Sequence, residues 1–327
     1  MRNHCLILTV LLSAVLAFAT ACSSAGNGAP NAAASSSAAT GRETAAYGLS
    51  QDNLSSEELS SEDLSLIDLS YEVKLLLDPQ KVLDDDHLLK EDWKQAFGIT
   101  NDYLPIEVIY LETSEKDFKR EGWINRLRLK SGKQKVECTF KKRYPVTGTE
   151  IAAACEDAKK DGFVLPDKTD KESGDNLFEA GIDWGYEEMT LSLSAKDSSK
   201  LKDNESLASL TDDEAKAFLL KAMPDIEADW KQSQWGITTL ERSRTVGPIH
   251  FLRAKGNLEN QNVTIEIWPV MDKDKDEEHY IVELSFKTDD FTTAAEGKAQ
   301  IIDYLDQEGI LLHEDSLKTT MILDAWF

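Results

Sequence analysis

The sequence is poor in the residues on which zinc sites and covalent catalysis depend. Only four of the 327 residues are cysteine and five are histidine. Cys138 and Cys155 are the only cysteines after residue 22, and no histidines accompany them at the spacing of a zinc site. The sequence also contains no nucleophilic triad, phosphate-binding glycine loop or haem motif. These absences exclude a zinc centre and leave no signal for a P-loop protein or a nucleophilic hydrolase.

The two remaining cysteines allow two interpretations. In an oxidising compartment Cys138 and Cys155 could form a disulfide. However, Cys138 lies on the apolar face of a predicted strand, and a buried free thiol fits that position equally.

Long apolar runs are scarce as well. The run Cys5 to Ala19 follows a short basic start and is too short to span a bilayer. It leads into Ala-Thr-Ala-Cys, and small residues directly before a cysteine resemble a bacterial lipobox. The resemblance implies a signal peptide over residues 1–21, diacylglycerol on Cys22 and an extracytoplasmic protein anchored to the bacterial membrane. Plain secretion with cleavage nearby is the alternative. Residues 22–69 are small and polar and are predicted to be a disordered linker.

Basic residues are outnumbered by acidic ones. The 36 lysines and arginines stand against 60 aspartates and glutamates, which gives a net charge of −24. Such a surface repels nucleic acid, so we predict no nucleic-acid partner. A cationic interior in so acidic a protein would be a local feature and would favour a small anionic ligand in a shielded site. Alternatively, the acidic excess only provides solubility.

A hairpin over Trp123 to Val146 carries the strongest pattern that is present. Its two strands alternate about a turn at Ser131-Gly132, which places polar and apolar side chains on opposite faces. One face carries Arg126, Arg128, Glu137, Thr139, Lys141 and Arg143. A half-solvated sheet explains such a hairpin, and so does a charged cavity for a polyanion.

The same alternation recurs along the chain. Strands are predicted at 70–77, 105–113, 178–195, 262–270 and 279–288, a long strand or bent pair at 237–255, and helices at 84–97, 150–162, 212–230 and 292–308. Together with the hairpin, this predicts an α+β fold with about eight mostly antiparallel strands. A closed or nearly closed barrel with a polar interior and helices packed outside fits the pattern. A sandwich with a dry core fits it equally, because periodicity does not say which face is buried.

The order of the charged strands resembles the CYTH family, the triphosphate tunnel metalloenzymes, over residues 70–327. The matching stretches are Glu72-Val73-Lys74, Arg126-Leu127-Arg128, Thr139-Phe140-Lys141, Arg242-Ser243-Arg244, Glu266, Glu283-Leu284-Ser285 and Lys318. The resemblance implies an eight-stranded tunnel in which cations hold a triphosphate and glutamates hold a divalent metal.

Carried over residue by residue, the resemblance implies three sets of site residues. The phosphate ligands would be Arg126, Arg128, Lys141, Arg242, Arg244 and Lys318. The ligands for Mg²⁺ or Mn²⁺ would be Glu72, Glu266 and Glu283, with Lys74 beside the metal as the catalytic residue. Ser70 and Ser285 stand where the family has glutamates, and losing two carboxylates weakens the expected metal site and hydrolysis.

Three functions remain open at this stage. The first is a lipid-anchored tunnel protein that binds polyphosphate or another phosphorylated anion with little or no turnover. The second is an active metal-dependent triphosphatase or polyphosphatase. The third is a scaffold or interaction protein that acts through its acidic surface. Convergence of the interior cations would favour binding, and neutralisation of each by a glutamate such as Glu137 or Glu241 would favour the scaffold.

Overall fold

Nine strands close into a barrel in the computed structural model, which describes residues 61–169, 178–202, 205–272, 277–315 and 318–327. The ring runs β1-β5-β6-β4-β3-β2-β7-β8-β9 and closes because β9 pairs with β1. Every neighbouring pair is antiparallel except β1 with β5, and β10 adds two residues beside β1. The strands are β1 (Leu69–Leu77), β2 (Leu104–Glu112), β3 (Trp123–Lys130), β4 (Lys135–Val146), β5 (Glu179–Trp184), β6 (Met189–Lys200), β7 (Arg244–Leu258), β8 (Gln261–Asp272), β9 (Glu277–Thr288) and β10 (Leu311–Leu312).

The closed, mostly antiparallel barrel confirms the predicted class, and the predicted count of eight strands is one too few. The stretch 178–195 was expected to be one kinked strand. Instead it folds into the hairpin of β5 and β6, whose turn is closed by a hydrogen bond from the Gly185 amide to the Glu188 carbonyl. A glycine just after the end of β5 begins a tight turn, and this turn accounts for the extra strand.

Most helices cover the outside of the barrel, whereas α10, named below, packs against residues of its interior. The longer ones are α5 (Ile151–Lys160), α6 (Asp212–Ala222), α8 (Trp235–Arg242), α9 (Phe291–Gln307) and α10 (Lys318–Trp326), and the short ones are α1 (Ser61–Leu66), α2 (Pro79–Val82), α3 (Glu91–Ala96), α4 (Asp117–Arg120) and α7 (Asp225–Ala228). Helix α1 and the buried side chain of Ile67 show that ordered structure begins before residue 70, earlier than predicted.

The predicted strand over 237–255 is wrong in its first third. Residues 235–242 form α8, and β7 begins only at Arg244. The β-branched run there favours a strand, but tertiary packing overrides that preference. Gly236 allows α8 to approach α7 closely, since a β-carbon at this position would lie 2.3 Å from the Glu227 carbonyl oxygen.

The main hydrophobic core lies outside the ring of strands, between the barrel and the helices. Val73, Leu75 and Leu127 are fully buried in it. Glu72 and Lys74, which stand on either side of Val73 in the sequence, face the interior cavity described below. The alternating strands therefore point their apolar side chains outward and their charges inward. This arrangement excludes the alternative of a sandwich with a dry core between its sheets.

A smaller apolar cluster fills part of the interior. Phe251 of β7 and Trp268 of β8 stack with their ring centroids 3.7 Å apart, and Ile322 and Leu323 of α10 belong to the same cluster. The C-terminal helix thus packs against the inner apolar residues, and the charged side chains share the interior with an apolar wall.

The two cysteines of the folded part are free, so the disulfide alternative is wrong. Cys138 and Cys155 are both buried in the outer core. Burial raises the pKa of Cys138 to about 12 and that of Cys155 to about 11, which makes both thiols unreactive at neutral pH. Within the described ranges, every helix is too short or too polar to cross a membrane. Cys22 lies outside the described residues, and its lipidation stays a prediction.

Candidate functional site

Charged side chains from six strands and one helix converge on a cavity of about 130 Å³ inside the barrel. Within the described part of the chain, ten charged residues line it, and most are cationic. The cations are Lys74, Arg126, Arg128, Lys141, Arg143, Arg253 and Lys318, and the carboxylates are Glu72, Glu266 and Glu283. In a chain with a net charge of −24 this concentration of cations is a local feature of the interior.

The strand pairing explains why these side chains meet. Arg126 of β3 lies directly opposite Thr139 of β4, and side chains two residues apart on each strand share a face. Because the apolar residues between them are held in the outer core, the charged residues have only the interior to occupy. The predicted charged hairpin is thereby confirmed as one wall of a cavity.

Asp183 of β5 holds the first group of cations together. This carboxylate is only 6% exposed and accepts hydrogen bonds from Lys74 Nζ at 2.6 Å, Ser192 Oγ at 2.7 Å and Lys141 Nζ at 3.2 Å. Arg143 Nε lies 3.9 Å from the same oxygen as Lys141. Burial alone would raise the pKa of Asp183, but the fields of Lys141, Lys74 and Arg143 hold it well below its usual range. Asp183 is therefore a permanently ionised counter-ion for three cations.

Glu266 of β8 holds a second group. Arg253 donates to its Oε1 through Nε at 2.9 Å and through Nη2 at 2.5 Å. Trp268 Nε1 donates to Oε2 at 2.9 Å, and Lys318 Nζ contacts the same oxygen. Lys318 also donates to Glu283 Oε1 at 2.7 Å. Although burial raises the pKa of Glu266, attraction by Lys318 and Arg253 outweighs this and lowers it, whereas for Glu283 burial dominates and the pKa is raised.

Arg126 differs from its neighbours because no described carboxylate lies within ion-pairing distance of it. Arg128, two residues along β3, is paired with Glu137 at 2.5 Å. The Nε groups of Arg126, Arg128 and Arg143 are all buried without an acceptor in the described structure. An unsatisfied buried donor costs about 1–3 kcal/mol, so these groups would gain from an anionic acceptor in the cavity.

Eight of the ten residues predicted for the tunnel line this cavity, and two do not. Arg242 ends α8 with its side chain 64% exposed and 3.6 Å from Asp117, and Arg244 is exposed with its guanidinium over the Phe327 ring. Their predicted placement inside the tunnel is wrong, because residues 235–242 form α8 and β7 begins only at Arg244.

Arg143 and Arg253 line the cavity and were not among the predicted site residues. The signal for Arg143 was present, since it follows Lys141 by two residues on the same strand. The position of Arg253 in the strand alternation also identifies it, once β7 is known to begin at Arg244. Asp183 carries no such signal, because a single aspartate between Ile182 and Trp184 does not indicate that three cations will surround it.

The comparisons with known proteins add only distant likenesses. No family model matches the sequence, and no curated protein matches it. Among solved structures, a candidate adenylyl cyclase from Hippeastrum described as having a dominant triphosphatase activity is 12% identical and aligns over 77% of this chain and 94% of its own, with a TM-score of 0.45. Candidate adenylate cyclases from Bacillus halodurans and Vibrio parahaemolyticus are 13% and 11% identical, cover 77% of this chain and 96% and 97% of their own, and give TM-scores of 0.40 and 0.35.

These likenesses are too weak to assign a function. The fold rests instead on the strand order, the closure of β9 on β1 and the charged interior. That architecture confirms the tunnel fold expected from the CYTH resemblance.

Asp183→Asn should destabilise the fold strongly. The change removes the counter-ion of Lys74, Lys141 and Arg143, and breaking such a buried ion group costs about 3–5 kcal/mol. Urea unfolding of the purified variant measures this loss. Asp157→Asn is the matched control, since Asp157 forms an exposed pair with Lys160 and should change stability by less than about 1 kcal/mol. Equal effects of the two substitutions would contradict the prediction.

Proposed function

We propose that the protein binds a small phosphorylated anion, of the triphosphate or short polyphosphate class, in the cavity inside the barrel. The observation that carries this proposal is the Arg126 guanidinium, which lines the cavity among six other cations with no described carboxylate paired to it. Placing a charge in a poorly solvated interior is costly unless it is paired. A bound anion would supply the missing partner.

The chemistry of the lining suits phosphate oxygens. Arginine offers planar, paired N–H donors that match the oxygens of a phosphate, and lysine adds a compact positive charge. A chain of phosphates offers many acceptors in a short length, as the unpaired Nε groups of Arg126, Arg128 and Arg143 require. Because those donors lie inside a barrel with an acidic exterior, a small anion suits the site better than a nucleic acid.

The balance of charge supports binding over a purely structural role. Among the described residues, the carboxylates that pair with six of the seven cations are the three that line the cavity together with Asp183 and Glu137. They are fewer than the cations, so the site as a whole stays positive. Neutralisation by a neighbouring glutamate applies to Arg128 with Glu137 but not to Arg126. Glu241 is exposed on α8 and no described ion pair joins it to the cavity.

We further propose that hydrolysis is weak or absent. Ser70 and Ser285 replace carboxylates that the CYTH resemblance leads one to expect, and the carboxylate of Glu266 is already engaged by Arg253, Trp268 and Lys318. A phosphate-release assay on tripolyphosphate, with Mg²⁺ or Mn²⁺ added, tests this. Metal-dependent release would instead assign the protein as an active triphosphatase.

Arg126→Gln should abolish most of the tripolyphosphate affinity. Hydrogen bonds to charged groups contribute about 1.5–3 kcal/mol, which corresponds to a loss of about tenfold to a hundredfold measured by isothermal titration calorimetry. Thermal stability should not fall, because Arg126 has no carboxylate partner to lose. Arg242→Gln, at an exposed position outside the cavity, should leave the affinity unchanged. If both variants bind like the wild type, the cavity is not the binding site.

Binding should weaken as pH rises through 8. Burial lowers the pKa of Lys141 to about 8 despite the attraction of Asp183, so the empty site loses this positive charge between pH 7 and 9. If binding needs the protonated amine, the affinity for tripolyphosphate should drop about tenfold over this range. Lys141→Gln is the control, because its pH profile contains the protonation of tripolyphosphate itself but not that of Lys141. The same pH profile in both proteins would show that Lys141 does not contact the anion.

We also propose that a lipid on Cys22 anchors the protein outside the cytoplasm. The support is the apolar run of residues 5–19 and the small residues directly before the cysteine. In a bacterial host, the wild type should partition into the detergent phase on Triton X-114 separation, and Cys22→Ser should move to the aqueous phase. Aqueous partitioning of both would favour plain secretion.

A further inference from the structure

Lys318 lies between two carboxylates that face each other inside the barrel. Glu266 of β8 and Glu283 of β9 are directly opposite in the strand register, and like charges in that position repel. The ammonium group of Lys318, at the start of α10, contacts Glu266 Oε2 and donates to Glu283 Oε1 at 2.7 Å. One positive charge therefore bridges the pair, which is the position a divalent cation would need in order to join both carboxylates.

The carboxylate of Glu266 has no acceptor capacity to spare. A carboxylate offers about four lone-pair sites. Here Oε1 receives two N–H groups from Arg253, and Oε2 receives the indole N–H of Trp268 and the ammonium of Lys318. A metal ion could reach Glu266 only by displacing one of these donors.

The remaining candidate ligand does not complete a metal site. The Glu72 side chain is 40% exposed and pairs with Lys74 at 3.1 Å, and Lys74 is also held by Asp183 at 2.6 Å. Among the residues that the structure describes, no three histidine, cysteine, aspartate or glutamate side chains gather closely enough to hold a metal. The donor set thus fits an ammonium group better than Mg²⁺ or Mn²⁺, which prefer several free anionic oxygens.

We propose that Lys318 is a built-in counter-cation that occupies Glu266 and Glu283 in place of a divalent metal, so that the cavity of this protein binds its anion without metal. An ammonium group has three donors, and the two carboxylates use two of them. The third can serve the anion. The part of this inference that concerns the anion rests on the proposed function, whereas the exclusion of metal by Lys318 does not.

The first experiment needs no phosphate. EDTA-treated and dialysed protein, lacking its lipid, is titrated with MnCl₂ while free Mn²⁺ is followed by electron paramagnetic resonance. Wild type should bind Mn²⁺ no more tightly than about 1 mM, and Lys318→Met should bind it about tenfold more tightly because the two carboxylates regain free oxygens. Lys318→Arg keeps the charge and should resemble wild type. If Lys318→Met fails to fold, the titrations of wild type and Glu283→Gln still test the inference.

Glu283→Gln identifies where any Mn²⁺ binds, since the acidic surface could also hold ions. Tight binding by the wild type that is lost in Glu283→Gln would overturn the inference. The double variant of Lys318→Met with Glu283→Gln should bind Mn²⁺ more weakly than Lys318→Met alone. Equal binding by the two would overturn the inference as well, because the new site would then lie elsewhere.

The second experiment titrates tripolyphosphate into the wild type in EDTA and in excess Mg²⁺, with the affinity corrected for the Mg²⁺ complex of the ligand. Binding in EDTA supports the inference. Binding only with Mg²⁺ overturns it while leaving the proposed function intact. No binding in either condition overturns the proposed function and the anion part of the inference, and the Mn²⁺ titrations then decide whether Lys318 excludes metal.

Discussion

Compensation of buried charge inside the barrel is the constraint on which the rest of the structure depends. A charged side chain loses most of its hydration in such an interior and is tolerated only with a partner. Asp183 provides that partner for Lys74 and Lys141, and Glu266 provides it for Arg253 and Lys318. Three of these pairs join different strands and the fourth joins β8 to α10, so the ion pairs also fix how these elements sit around the cavity.

This constraint explains why the fold is inverted relative to a small globular domain. With charges occupying the interior, the apolar side chains of the strands need another place to be buried, and α5, α6 and α9 supply it from outside. The barrel is therefore stabilised by its outer layer of helices, while its interior can accommodate the charged side chains of the candidate site. Part of that interior is still apolar, because Phe251 and Trp268 pack with α10.

The compensation is incomplete, and that incompleteness is what makes the cavity a candidate site. If each cation had its own carboxylate, the interior would be a structural network with nothing to offer a ligand. Arg126 breaks the balance, since its Nε is buried without an acceptor and its guanidinium has no described carboxylate partner. At the opposite extreme, Glu266 is saturated by its donors. The same cavity thus favours an anion and disfavours an additional cation.

Local patterns in the sequence predict the alternation of the strands, and with it the charged hairpin and the existence of most strands. These features follow from a local rule, because the direction of a side chain on a strand depends only on its position along that strand. For the same reason eight of the ten predicted tunnel residues could be chosen from strand periodicity and motif order.

Which face of the strands is buried depends on the tertiary packing, and so does the place where the chain departs from its local preferences. Residues 237–242 have the pattern of a strand but belong to α8, which packs against α7. Arg242 and Arg244 therefore lie outside the cavity, and Arg253 lines it instead. The roles of Asp183 and Lys318 could not be predicted in this way. Asp183 depends on Lys141 and Lys74, which are 42 and 109 residues away along the chain, and Lys318 depends on Glu283 and Glu266, which are 35 and 52 residues away. Periodicity sets the direction of a side chain, but the closed barrel sets which residues that side chain contacts.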